Sequence, residues 1–74
     1  MKHIIRFHIY KGENHYVAQG LDLPIVTQGK TLDELAKNIN EAVAVHLEGE
    51  NLSDLGLAPN PSVLADLELT PLNA

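Results

Sequence analysis

Residues 31–49 read TLDELAKNINEAVAVHLEG, and this stretch decides the fold. Leu32, Leu35, Ala36, Ile39, Ala42, Val43 and Leu47 recur at helical spacing and form one apolar face. Thr31 and Glu34 stand in the capping-box arrangement. The Thr31 hydroxyl accepts from the Glu34 N–H, and the Glu34 carboxylate reaches back to the N–H of Thr31. Asp33 and Glu34 also suit the positive end of the helix dipole. Asp33–Lys37 and Lys37–Glu41 are pairs four residues apart on the opposite face, each worth about 0.2–0.5 kcal/mol. Gly49 is a natural stop, so the spacing predicts a helix over 31–48.

On the N-terminal side the period changes to two. Ile5, Phe7 and Ile9 point one way, and Ile4, Arg6, His8 and Tyr10 the other, which predicts a half-buried strand over 3–11. Lys11-Gly12-Glu13-Asn14 supplies a turn, with Gly and Asn suited to positive φ. His15–Leu21 then reads as a second, antiparallel strand. Asp22-Leu23-Pro24 interrupts, since proline cannot donate to a ladder. Asp22 is expected to bond its own backbone and fix that turn. Ile25-Val26-Thr27-Gln28 is a third short strand, ended by Gly29.

On the C-terminal side, 51–61 form a polar connection bearing Leu52, Leu55 and Leu57, with a short helical turn at 53–55. Alternation returns over 62–70: Val63, Ala65, Leu67 and Leu69 face one way, Leu64, Asp66 and Glu68 the other. Pro71 ends this last strand. The order β-β-β-α-β predicts a single α+β domain over 1–74. It has two layers, with a three- to four-stranded, mainly antiparallel sheet and one helix packed on one face. The other face stays uncovered, with Ile4, Tyr10 and Leu64 among its residues, and such a face invites self-association.

A chain of 74 residues buries a thin core, and with no cysteine neither disulfides nor thiolate metal sites reinforce it. No apolar run approaches the roughly 20 residues of a spanning helix, and no secretory leader is legible, so a cytoplasmic protein is expected. The net charge is −5, and Lys2, Arg6, Lys11, Lys30 and Lys37 all precede Asn38. The remainder carries only acidic charge: Glu41, Glu48, Glu50, Asp54, Asp66 and Glu68. Direct nucleic-acid binding is not expected of such a chain, while a basic protein partner suits it.

Candidates for chemistry are few. His3 and His8 lie on opposite faces of one strand and cannot chelate a single ion from it. His46 near the helix end suits the dipole. Asp66 and Glu68 share a strand face, as a solvated pair would. No phosphate loop, nucleophile elbow or zinc-binding helix motif occurs. No catalytic residue, metal site or cofactor is assigned.

The run Tyr16-Val17-Ala18, Asp22-Leu23-Pro24, Val26-Thr27-Gln28-Gly29, Thr31-Leu32-Asp33-Glu34-Leu35 and Asn38-Ile39-Asn40-Glu41-Ala42 resembles the HicB-like antitoxin family of type II toxin–antitoxin systems. It covers about half of the chain. The resemblance rests on Tyr16, Asp22, Leu23, Pro24, Gly29 and Thr31 as its signature. It implies a partial ribonuclease-H-like fold without catalytic activity. It also implies a dimer or tetramer that neutralises a small basic HicA-type toxin, one that cleaves messenger RNA. Glu34, Glu41, Asp66 and Glu68 are the expected toxin-facing residues. Two departures stand out. The family usually has a Gly-Cys pair after the proline, whereas Pro24 runs into Ile25-Val26. Many members also carry a C-terminal DNA-binding helix motif, and none is legible before Ala74. Protein binding is therefore the expected role. The alternatives are an oligomeric interaction protein without a toxin partner, and a residual metal-dependent nuclease using Asp66.

Overall fold

The computed structural model describes residues 1–69. Its elements are β1 (Lys2–Lys11), β2 (Tyr16–Gly20), β3 (Val26–Gly29), α1 (Leu32–Leu47), a 3₁₀ turn (Leu52–Leu55) and β4 (Leu57–Glu68). The four strands form one sheet in the order β3-β2-β1-β4, and α1 packs on one face. This is the α+β, β-β-β-α-β arrangement expected from the periodicity.

The sheet is mixed. β1 pairs antiparallel with β2, and β2 with β3, while β4 runs parallel to β1. The parallel pairing follows from connectivity. A helix lies between β3 and β4, and only such a crossover lets two parallel strands sit side by side.

β1 shows the expected alternation. Ile5 and Phe7 are wholly buried and Ile9 nearly so, while Ile4 and Tyr10 are exposed. From the helix, Leu35, Ile39 and Val43 complete the core, and Ala42 and Leu47 pack at its margin. Leu32 and Ala36, also expected on the apolar face, are exposed. The reason is lateral placement. The helix lies over β2 and β3, and so leaves the β4 side of the sheet open. Val63 is only half-buried, and Ala65 and Leu67 are exposed.

β4 begins at Leu57, five residues before the expected start at Ser62. Pro59 and Pro61 argue against a strand, yet they sit in an irregularity where Lys2 pairs with Leu57 and Ile4 with Ser62. Six residues of β4 (57–62) thus stand against three of β1 (2–4). Asn60 takes a left-handed φ of 52° there, so the prolines need no ladder partner. The far end of the predicted strand, Thr70 and Pro71, lies outside the described residues.

The hairpin between β1 and β2 differs in detail. Its turn closes through Gly12 N–H donating to His15 O at 2.7 Å. Neither Gly12 nor Asn14 has positive φ, so the loop does not use the freedom expected of them.

Thr31 caps α1, its hydroxyl accepting from the Glu34 N–H at 3.0 Å. The return bond is displaced by one residue, because the Glu34 carboxylate accepts from the Lys30 N–H at 3.4 Å, not from Thr31. Lys30 has just left the β3 ladder, and its N–H needs an acceptor. Glu48 is the C-cap, and Gly49 beyond it takes φ 75°. Thr31→Ala is expected to cost about 1 kcal/mol. In a domain of this size that lowers the melting temperature by roughly 4–8 °C, readable by circular dichroism.

Candidate interaction surfaces

Three features bear on function, and the first is the Asp22-Leu23-Pro24 corner. Leu23 and Ile25 turn inward and join the core. Gly20 N–H donates to Ile25 O at 2.7 Å, and Ile25 N–H to Leu23 O at 2.8 Å, which closes the corner on itself. Asp22 does not bond its own backbone. Its carboxylate accepts from the Arg6 N–H at 2.8 Å and from Lys2 Nζ at 2.9 Å, and the Arg6 guanidinium lies 3.6 Å away. The reason is geometric. β2 ends at Gly20, leaving the Arg6 N–H without a ladder acceptor, and Asp22 supplies one. The Lys2 hydrogen bond, then the Arg6 N–H, hold the Asp22 carboxyl at about 2, below the ordinary carboxylate range.

The second feature lies on the uncovered face of the sheet. His8 sits opposite Asp66 in the parallel register, with Glu68 two residues further on. His8 Nδ1 lies 2.6 Å from Asp66 Oδ1, and Nε2 lies 2.9 Å from Glu68 Oε1. A neutral imidazole has one N–H, so bonding to two carboxylates calls for the doubly protonated ring. Hydrogen bonds to Asp66 first and Glu68 second accordingly raise the His8 pKa above its ordinary value. The Tyr10 ring lies beside it, centroid to centroid 6.4 Å.

These two groups set opposite limbs of a stability profile. Asp22 is lowered, so its contribution is full above the ordinary carboxylate pKa and fades as pH falls toward 2. His8 is raised, so its contribution is full below the ordinary imidazole value and fades as pH rises through its folded pKa. Thermal melts are expected to be highest between about pH 4 and 6.5. His8→Gln should flatten the alkaline limb, and Asp22→Asn should make the acid limb shallower. A profile left unchanged by both substitutions would contradict this assignment.

The third feature is a shallow, open groove of about 560 Å³ between β3 and the second half of α1. Pro24, Ile25, Val26 and Thr27 line one side, and Asn38, Glu41, Ala42, Val45 and His46 the other. Val26 is 69% exposed and Val45 70%, an unusual state for two branched apolar side chains flanking one groove. Glu41 lines the same groove and supplies negative charge. Beyond the groove, Asn38 Nδ2 donates to the Gln28 carbonyl at 2.7 Å and ties the helix to the end of β3.

The four residues expected to face a partner are therefore divided. Asp66 and Glu68 share the open sheet face and engage His8. Glu41 lines the groove on the helix side. Glu34 stays at the helix start, bonded to the Lys30 N–H. The signature residues have structural work. Tyr16 packs against the core, Asp22 anchors β1, Leu23 is buried, Pro24 borders the groove and Thr31 caps the helix. Gly29 lies where a Cβ would fall 2.6 Å from Leu35 N.

Sequence reading missed the role of His8, because its partners lie 58 and 60 residues away and emerge only once β4 is placed parallel to β1. It also missed Val26 and Val45, each of which looks like an ordinary β-branched residue in its own element. Among the described residues, no group of three or more His, Asp or Glu is arranged to hold a metal ion. No helix among them is long and apolar enough to cross a membrane.

Fold and surfaces together define a small α+β domain with a thinly covered sheet and apolar residues displayed beside acidic ones. No family model, curated protein or solved structure matches the chain.

Proposed function

We propose that this chain is a HicB-like antitoxin domain that works by binding, neutralising a small basic HicA-type toxin in the cytoplasm. The observation that carries this reading is the groove between β3 and α1. Exposed Val26 and Val45 supply apolar area, and Glu41 supplies charge for a basic partner. Three further points support it. The motif from Tyr16 to Ala42 resembles that family. The element order is the one the resemblance implies. The net charge of −5 opposes that of a basic toxin. Neutralisation here is occupancy of a surface and calls for no chemistry, metal or cofactor from this chain.

The test is co-expression. A small basic protein encoded beside this chain should arrest bacterial growth alone and fail to do so when the chain is supplied. Val45→Glu, which places a charge on an exposed helix position, should abolish rescue while leaving the circular dichroism spectrum unchanged. Full rescue by that variant would remove the groove from the account. No arrest and no co-purification would remove the antitoxin reading itself.

A further inference from the structure

The outer edge of β4 is the long edge of the sheet, and its protection stops partway. Pro59, Asn60 and Pro61 form the irregularity that blunts its first part. From Ser62 to Glu68 there is no proline, lysine or bulge, and among the described residues no strand lies on that side. The opposite edge, β3, has four residues and its Gln28 carbonyl is already taken by Asn38. Beside the open part of β4, on the helix side of the sheet, runs a second groove of 390 Å³. Its walls are Leu32, Ala36 and Ile39 from the helix and Val63, Ala65 and Leu67 from the strand.

We infer that Ser62–Glu68 pairs antiparallel with the same segment of a second copy of this chain, about a twofold axis at Ala65, joining two sheets into one. This goes beyond the toxin reading and does not rest on it.

Charge and register select both the occupant and the alignment. A twofold strand pair that keeps the sheet faces matched must be centred on a residue. Centring on Ala65 sets Val63 against the partner's Leu67, Asp66 against the partner's Leu64 and Glu68 against the partner's Ser62. No carboxylates oppose, and the ladder uses the whole unblunted stretch. Centring on Asp66 sets Asp66 against the partner's Asp66, and centring on Leu67 sets Asp66 against the partner's Glu68; both oppose like charges. Centring on Val63 or Leu64 draws Pro61, which has no N–H, into the paired stretch.

The Ala65 register is also complementary across the joined sheet. Arg6 is the β1 neighbour of Leu64, and His8 of Asp66. One row across the open face therefore reads His8, Asp66, the partner's Leu64, the partner's Arg6. The exposed Arg6 side chain of each copy stands one strand beyond the other's Asp66. On the helix side the two apolar grooves meet at Ala65 and cover each other.

The test uses the full chain. Light scattering after size exclusion should give twice the 8.1 kDa monomer mass. Ala65→Cys should cross-link between copies on oxidation, since residues facing each other at the axis lie about 4.5–5.5 Å apart, within disulfide reach. Ser62→Cys should not, because the two copies of that position are about 20 Å apart in this register. Val26→Cys, on the other edge, should not cross-link either. Ala65→Arg, at an exposed position, should give a folded monomer. A monomeric wild type would overturn the inference and leave the edge to a different protein strand. So would preferential cross-linking through Val26→Cys, or a dimer of undiminished mass for folded Ala65→Arg. If Ala65→Arg fails to fold, the cysteine pair decides alone.

Discussion

Phe7→Ala is expected to remove about half or more of the protein's stability at 25 °C. Phe7 is wholly buried at the centre of the sheet. Its neighbours across the two ladders are Gly20 on β2 and Ala65 on β4. Both are too small to relax into the space the ring leaves, so the cavity persists. Phe-to-Ala changes in cores cost about 3–5 kcal/mol, and poor collapse places this one at the upper end. A chain of this length has about 4–11 kcal/mol of stability in total. Urea denaturation at 25 °C should show the midpoint moved to about half its wild-type value or lower, with a shortened native baseline. A loss below about 1 kcal/mol would mean that the core is not organised around this ring.

Gly29→Ala should be the next most damaging change, for a different reason. Its backbone has no positive φ, so conformational freedom is not at issue. Space is. A Cβ at Gly29 would sit 2.6 Å from Leu35 N, 2.9 Å from Leu35 Cα and 3.1 Å from the Glu34 carbonyl carbon. These atoms belong to the helix backbone, so no side-chain rotation relieves the contact. The helix must move away from β3, and Leu35, wholly buried, moves with it. Overpacking of this kind costs about 1–3 kcal/mol, sometimes more. Adding Leu35→Ala should deepen the loss without rescuing it, because the clash is with backbone. Gly49→Ala makes a useful contrast. Its φ is 75° but nothing lies within 4 Å of a Cβ there, so only the left-handed strain of about 1 kcal/mol remains. Thermal melts of the three variants would separate steric from conformational roles.

Local patterns were legible where one element carries its own signal. The alternation of Ile5, Phe7 and Ile9, the helical spacing of Leu35, Ile39 and Val43, and the Thr31 cap could each be read without a partner. What could not be read depends on distant pairing. Pro59 and Pro61 hid the start of β4, since the irregularity that accommodates them exists only against β1. Asp22 looked like a local turn former, but the N–H it satisfies is sixteen residues upstream. His8, Asp66 and Glu68 became neighbours only through the parallel register. The same holds for the candidate surfaces. Charge alone singles out Glu41, whereas the groove it lines is built with Val26 and Val45 from separate elements. Lateral placement of the helix, which leaves Ala65 and Leu67 uncovered, follows from packing and has no trace in the period of either segment.

Binding of a small basic toxin through the groove between β3 and α1, as proposed above, is open to direct measurement. The measurement is the amide NMR spectrum of the labelled chain, titrated with the basic protein encoded beside it. Saturable shifts are expected at Val26, Thr27, Glu41, Val45 and His46, with Asp66 and Glu68 little changed. An unchanged spectrum at saturating partner, or shifts confined to the open sheet face around His8, would contradict it.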